Sequence, residues 1–318
     1  MATIIDRKTI EQIIKEANHV DLMSYMEEAF TSFSSGKAVI PPVGTLSFDS
    51  PPGDVHIKYG YILEEAYYVV KIASGFYNNP ELGLSSSNGL NLVYCQKTGV
   101  LETILLDEGF LTDIRTAVAG AVVSKYLAPK KVNAIGIMGT GIQARLQLEY
   151  LKDVVNCTKV LVWGRSMEKL HAYKEDMCKK GFDIEITMDS RLIGRKCNLI
   201  ITTTASTSPI FFEEDLQKET HITAIGADTT GKQELDITIL ERANLIVLDN
   251  AKQCQAHGEI HKAYNKNLLE NQRIVELGEI ISSGNYNRRD DDITIADLTG
   301  IATQDIQISK YVLDNLLI

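Results

Sequence analysis

The chain is poor in the features that define several large protein classes. Its five cysteines, Cys95, Cys157, Cys178, Cys197 and Cys254, are odd in number, widely spaced and free of any CxxC pair. That argues against a disulfide scaffold and suits reduced thiols in a cytoplasmic fold, acting as small core or near-surface hydrophobes. No apolar run approaches the ~18 residues a membrane span requires. The N-terminal stretch 1–16 mixes charges with its apolar residues where a signal peptide has an unbroken core, so it is expected to form the first helix of the mature fold. Basic residues are outnumbered, 32 Lys and Arg against 42 Asp and Glu, and the formal charge is -10 with no basic stripe. Such a chain repels nucleic acid and anionic lipid, and neither is an expected partner. There is no GxSxG nucleophile elbow to support Ser-His-Asp catalysis, and there is no internal repeat or low-complexity tract.

What is present is ordinary in bulk and specific in detail. With 318 residues, 44% hydrophobic and 23% charged, the chain is long enough for two globular domains. Residues 1–36 carry two helical patterns, with Ile10, Ile13 and Ile14 on one face and Leu22, Met26, Ala29 and Phe30 on the next, ended by Gly36. Between Pro41 and Asp107 the period changes to alternation. Val55–Tyr59, Tyr67–Ile72, Leu90–Cys95 and Val100–Leu106 predict a mainly antiparallel sheet. Thr112 is placed to cap a helix running through Arg115 to Leu127, whose Ala117, Ala119, Gly120 and Ala121 allow close packing, and Pro129 stops it. From Asn133 onward six apolar strands alternate with helical patterns, which predicts a doubly wound parallel sheet of Rossmann type. The charged run Arg288–Asp292 reads as a solvated loop. The helical segment after Gly300 is expected to return to the first domain, so the predicted domains are 1–115 with about 301–318, an α+β substrate-binding and dimerisation domain, and 116–300, a dinucleotide-binding domain.

One stretch points to a cofactor. Val132–Met138 feeds the turn Gly139-Thr140-Gly141-Ile142-Gln143-Ala144, followed by an amphipathic helix and a second strand ending at Trp163. In this context Gly139 makes a tight turn, Gly141 lets the backbone approach a pyrophosphate, Ala144 allows close helix packing, and the helix N-terminus faces the negative charge.

Three further segments narrow the reading: Leu106–Ala117, Gly226–Leu235 and Asp297–Asp305. Together with the glycine turn, in this order, they closely resemble the ornithine cyclodeaminase/mu-crystallin family from about residue 36 to the C-terminus. The resemblance implies a homodimer built through the N-terminal domain. It also implies a nicotinamide cofactor and a small amino, imino or keto acid substrate. Members include ornithine cyclodeaminases, alanine dehydrogenases, ketimine, pyrroline-carboxylate and iminosuccinate reductases, and a thyroid-hormone-binding crystallin. Their shared step is hydride transfer between nicotinamide C4 and the carbon bearing an amine or imine.

Roles follow residue by residue from that resemblance. Arg115 matches the arginine of the LTxxRTA motif and Lys71 the strand lysine that together hold the substrate carboxylate. Taken alone, a lysine in an apolar strand equally suits a side chain snorkelling to the surface. Asp228 matches the acid/base aspartate just beyond an apolar strand, where burial beside the cofactor is expected to raise its pKa; alternatively it is a turn aspartate bonded to nearby amides. Thr140, Ile142 and Gln143 belong to the phosphate turn. Thr112, Thr203, Thr204, Ala205, Ser206, Thr299 and Gly300 are expected cofactor contacts. Gly164 stands where NAD-using relatives carry an aspartate, and Arg165 with Ser166 suits a 2'-phosphate, so NADP(H) is the expected preference with NAD(H) also accepted.

Two departures bear on the substrate. The Pro-x-Arg anchor of many members is replaced by Pro41-Pro42-Val43-Gly44-Thr45, and the glutamate that holds ornithine's distal ammonium is missing. In that region stand His56 and Lys58, on one side of a strand. They either line a more cationic pocket, suited to a second carboxylate, or sit on a wet strand face. His257 and His261 with Glu259 resemble a one-turn metal pair, but no third ligand accompanies them and a solvated helix explains them as well; no metal is expected. The function expected first is an NADP-preferring imine reductase or amino-acid dehydrogenase. An ornithine-type cyclodeaminase that recycles its cofactor is the alternative, and a non-catalytic crystallin-like binder is a third, disfavoured by the presence of Asp228, Lys71 and Arg115 together.

Overall fold

In the computed structural model, which describes residues 2–76, 78–284 and 286–316, the alternating segments of the N-terminal third become one twisted sheet. Its strands are β1 (Thr3–Asp6), β2 (Ala38–Val39), β3 (Gly44–Asp49), β4 (Pro52–Ile62), β5 (Tyr67–Phe76), β6 (Ser87–Cys95) and β7 (Leu101–Leu106), in the order β1-β7-β6-β5-β4-β2 with β3 also on β4. All neighbours are antiparallel except β1 with β7. Short connections enforce this, as at the turn closed by Gly99 with φ 69° between β6 and β7.

The N-terminus departs from the expected helix. Ile4 and Ile5 pair with β7 as a strand, in keeping with their β-branched side chains. Helix α1 (Arg7–Lys15) starts only after Asp6, whose carboxylate accepts from Thr9 N; α2 (His19–Ser34) is capped likewise by Asn18. The helix Ala302–Asp314 returns to this sheet and packs on α2, β4, β5 and β6. Ile10, Leu22, Met26, Phe30, Val69, Val93 and Leu105 are buried between these elements, where truncating a leucine costs ~2–5 kcal/mol.

Helix α3 (Phe110–Leu127) begins earlier than Thr112, so Thr112 is not its cap. The chain turns through Glu108 and Gly109, at φ 53° and 86°, and brings Asp107 over the helix end. The Asp107 carboxylate accepts from Leu111 N at 2.8 Å and its carbonyl accepts from Phe110 N. Farther along α3, Gly120 leaves the space that the Gln147 side chain occupies.

By chain contacts the protein divides into two units, Met1–Arg115 with Ile301–Ile318, and Thr116–Gly300. The second contains β8 (Ile135–Met138), α4 (Ile142–Leu151), β9 (Lys159–Trp163), α5 (Met167–Lys179), β10 (Asp183–Thr187), α6 (Arg191–Lys196), β11 (Leu199–Thr202), β12 (His221–Ala224), α7 (Ile237–Arg242), β13 (Leu245–Leu248), α8 (Ala251–His257), α9 (His261–Asn265), β14 (Ile274–Glu276), α10 (Leu277–Ser283) and β15 (Thr294–Asp297). Its strands are all parallel, in the order β10-β9-β8-β11-β12-β15-β13-β14. This is the doubly wound Rossmann-type sheet expected, with eight strands and not six. β14, with three residues, is too short to read as a strand, and β15 is too polar at its ends; β15 is nonetheless fully buried because it lies between β12 and β13.

Two local expectations fail for physical reasons. Arg288–Asp292 is not simply solvated: Asp292 is buried and accepts from Tyr286 OH and Arg289 N, while Arg288 donates to Leu127 O, Asp292 O and Thr294 Oγ1. His257 ends α8 and His261 opens α9, with Gly258 between them, so the one-turn pair on a continuous helix does not form. Glu259 faces inward and is fully buried. No helix among the described residues is long and apolar enough to cross a membrane.

Candidate functional site

In the second unit the strand order reverses between β8 and β11, the switch point where ligands bind in such sheets. The loops leaving these two strands are the glycine turn and Thr203–Ser206. Gly139 has φ 124°, and a Cβ there would stand 2.6 Å from Thr203 Oγ1, so only glycine fits. Gly141 opens α4 with nothing within 4 Å of where its Cβ would be, and no side chain caps the helix. The first N–H groups of α4, with their partial positive charge, are therefore presented to an incoming anion. Thr140 O is fixed by Arg145 Nη1 at 2.6 Å, Gln143 Oε1 accepts from Gln147 Nε2, and Ile142 is exposed beside the turn. Thr203 donates from N and Oγ1 to Met138 O, which ties the two loops together.

At the end of β9 a Cβ on Gly164 would already lie 2.9 Å from Thr140 Cγ2, so a larger acidic side chain there requires a shift. Arg165 is exposed, and Ser166 caps α5 by accepting from Lys169 N. These residues fit a dinucleotide: an open glycine cradle, an uncapped helix end, and glycine followed by an exposed arginine at the end of β9. Thr299 Oγ1 and Gly300 N both donate to Asp249.

Asp228 follows β12, at the same end of the sheet. Its side chain is 49% exposed and its Oδ1 lies 2.6 Å from Lys232 Nζ. The burial anticipated for it is not found; a salt bridge is, and Lys232, four residues on, carried no distinguishing signal beyond that spacing.

In the first unit, ladder register builds the polar cluster. Lys58 on β4 stands opposite Lys71 on β5, and Lys71 opposite Asn91 on β6, so the three share a face. Lys71 also shares its face with buried Val69, two residues earlier. Onto this row the helix Ala302–Asp314 places Asp305, and the first turns of α3 place Arg115. Lys71 Nζ lies 3.0 Å and Arg115 Nε 3.3 Å from Asp305 Oδ1, and Arg115 Nη1 donates to Gln304 Oε1 at 3.2 Å. Lys71, Arg115 and Asp305 are 3%, 6% and 2% exposed, which makes this a desolvated charge cluster.

Its electrostatics favour an added anion. Burial pushes Lys71 down to about 7, with Arg115 and Lys58 repelling its proton and Asp305 opposing them. Burial acts to raise Asp305, but Lys71, Arg115 and Lys58 hold it below the ordinary carboxylate value. Burial raises Asp107, which also accepts from Asn91 Nδ2. Arg115 Nε, Asn91 Oδ1 and Asp305 Oδ2 are buried without hydrogen-bond partners among the described residues. Of the two β4 candidates, Lys58 contributes to this field, whereas His56 lies 3.3 Å from Asp54 of its own strand. Asp305, Asn91 and Gln304 had no predicted role; Asp305 and Gln304 become part of the site only through contacts far apart in sequence, with Lys71 and Arg115.

Residues 5–318 match the ornithine cyclodeaminase/mu-crystallin family, a match that reaches farther toward the N-terminus than the motifs do. The chain is 36% identical to an uncharacterized cyclodeaminase, y4tK, of Sinorhizobium fredii, over 91% of this chain and 89% of the relative. Among solved structures, Delta(1)-pyrroline-2-carboxylate reductase of Thermococcus litoralis, in complex with NADH and L-proline, is 25% identical with a TM-score of 0.90, covering 98% of this chain and 97% of its own. Iminosuccinate reductase of Paracoccus denitrificans, in complex with NAD+, is 28% identical with a TM-score of 0.89, covering 99% and 96%. The chain belongs to the ornithine cyclodeaminase/mu-crystallin family.

Proposed function

We propose that this family member is an NADP(H)-preferring oxidoreductase that reduces the C=N bond of a small imino or ketimine acid, or runs the reverse reaction on the amino acid. The observation that carries this reading is the buried Lys71–Arg115–Asp305 cluster, two cations around one carboxylate, each within 3.3 Å. Arg115 and Lys71 hold the substrate carboxylate, a charge-assisted contact that desolvation strengthens. A bound nicotinamide supplies the hydride. Asp228, kept near Lys232, delivers the proton to nitrogen.

The cofactor is held by the Gly139–Gln143 turn, by Thr203, Thr204, Ala205 and Ser206, and by Thr299, Gly300 and Thr112. Arg165, with the N-terminus of α5 behind it, takes the 2'-phosphate. Lys58, whose charge is felt at both Lys71 and Asp305, repels a distal ammonium and attracts a second carboxylate. The protein works as a homodimer in the cytoplasm.

A cyclodeaminase reading is favoured by the similarity to the Sinorhizobium fredii protein and opposed by the cation at Lys58. One experiment separates the two: a spectrophotometric screen of NADPH and NADH oxidation with pyruvate, glyoxylate or oxaloacetate plus ammonia or methylamine, with cyclic imino acids, and with ornithine assayed for proline and ammonia. Net NADPH consumption with an imino acid is expected. Ornithine converted to proline without net cofactor turnover refutes the reductase reading.

A further inference from the structure

Besides Asp292, the second unit buries the carboxylates of Glu234, Asp249, Glu259 and Asp297, each at most 1% exposed. Burying an acid is costly unless its oxygens are satisfied, and burial accordingly pushes Glu234 and Asp297 up to about 7 and holds Glu259 well above the ordinary carboxylate value. In compensation the acids fix loops. Asp249 accepts from Thr299 Oγ1 and Gly300 N, and Glu259 accepts from the amides of Glu234 and Leu235.

Glu234 has the most consequential set of partners. Its Oε1 accepts from Thr204 N at 2.6 Å, and its Oε2 accepts from Thr202 Oγ1 at 2.6 Å and from Gly226 N at 2.9 Å. One carboxylate thus joins the loop leaving β11 to the loop leaving β12. The approach is close enough that a Cβ on Gly226 would stand 2.4 Å from Glu234 Oε2 and 2.1 Å from Thr204 O, which explains glycine there. Three donors converge, so two acceptor oxygens are needed. A glutamine offers one, and its NH2 group must face either the Thr204 or the Gly226 amide, donor against donor.

We propose that Glu234 is a positioning residue: by clamping Thr204 to Gly226 it holds the cofactor loop Thr203–Ser206 at a fixed separation from Asp228, two residues beyond Gly226. The proposal rests on the roles assigned above to Thr203–Ser206 and Asp228. The clamp itself stands on hydrogen bonds that do not depend on those roles.

The test uses the full chain with Glu234→Gln and Thr202→Val, measuring kcat and KM for imine reduction and amide exchange across 203–206 and 225–228. For E234Q we expect kcat to fall ~100-fold, KM for the imino acid to stay within about threefold of native, and both loops to exchange ~10-fold faster. T202V, which removes one donor of three, is expected to lower kcat ~3–10-fold with KM unchanged. It decides the matter should E234Q fail to fold. A folded E234Q with native kcat, or faster exchange in only one of the two loops, overturns the proposal. If the native protein reduces no imine, the functional reading fails, and the exchange measurement still decides whether Glu234 couples the loops.

Discussion

Asp305→Asn tests the charge cluster at its centre. The substitution keeps size and one acceptor oxygen but removes the negative charge 3.0 Å from Lys71 Nζ and 3.3 Å from Arg115 Nε. Lys71 titrates at about 7 although Asp305 supports its proton. At pH 7.5 such a lysine is charged in about a quarter of molecules, and losing a close opposite charge lowers its pKa by ~1–3 units. A fall of ~2 units leaves it charged in roughly 0.3%, so the cationic form becomes about a hundredfold rarer. A lysine loses its charge as pH rises through its folded pKa. The high-pH decline of kcat/KM is therefore expected near pH 7 in the native protein and near pH 5 in D305N, with kcat/KM about a hundredfold lower at pH 7.5. Stability gives an independent readout. Between the folded value of about 7 and the ordinary 10.5, the unfolded chain binds the extra proton, so native stability rises with pH across that window, and in D305N the rise begins lower. A D305N protein with native kcat/KM at pH 7.5 and an unmoved decline refutes the argument.

Further outcomes follow from single residues. Arg165→Ala is expected to weaken NADPH binding by ~1–3 kcal/mol and NADH binding far less; equal losses in fluorescence titrations, or a native preference for NADH, contradict the 2'-phosphate role. Asp228→Asn keeps shape and removes the transferable proton, so turnover should drop ~100-fold or more while NADPH affinity is retained; near-native turnover assigns the proton to another group. Lys58→Met should raise KM for a dicarboxylic imine ~10–100-fold and leave a monocarboxylic one little changed; parallel effects on both substrates show that Lys58 acts only on the general field of the pocket.

How far the sequence anticipated this molecule depends on whether a feature is local. The turn Gly139–Ala144 is legible because its chemistry is contained in six residues between a strand and a helix, and the alternation from Val55 to Leu106 is legible because each strand pairs with a neighbour close in sequence. β15 was invisible for the opposite reason: the residues Thr294–Asp297 are a strand only because β12 and β13 flank them.

The same distinction governs the sites. Lys71 and Arg115 are recognisable from the motifs that surround them, but what makes them chemically unusual is Asp305, 234 residues from Lys71, arriving on a helix whose other face also packs. A buried aspartate in a helix has no periodic signature, since composition alone assigns such residues to the surface. Glu234 is the same case in the second unit. It lies in the segment Gly226–Leu235, which the family resemblance singled out, yet its partners Thr202 and Thr204 lie on another strand and loop. Motif matching therefore singled out the segments, while the contacts that Asp305 and Glu234 make became visible only once the fold brought distant segments together.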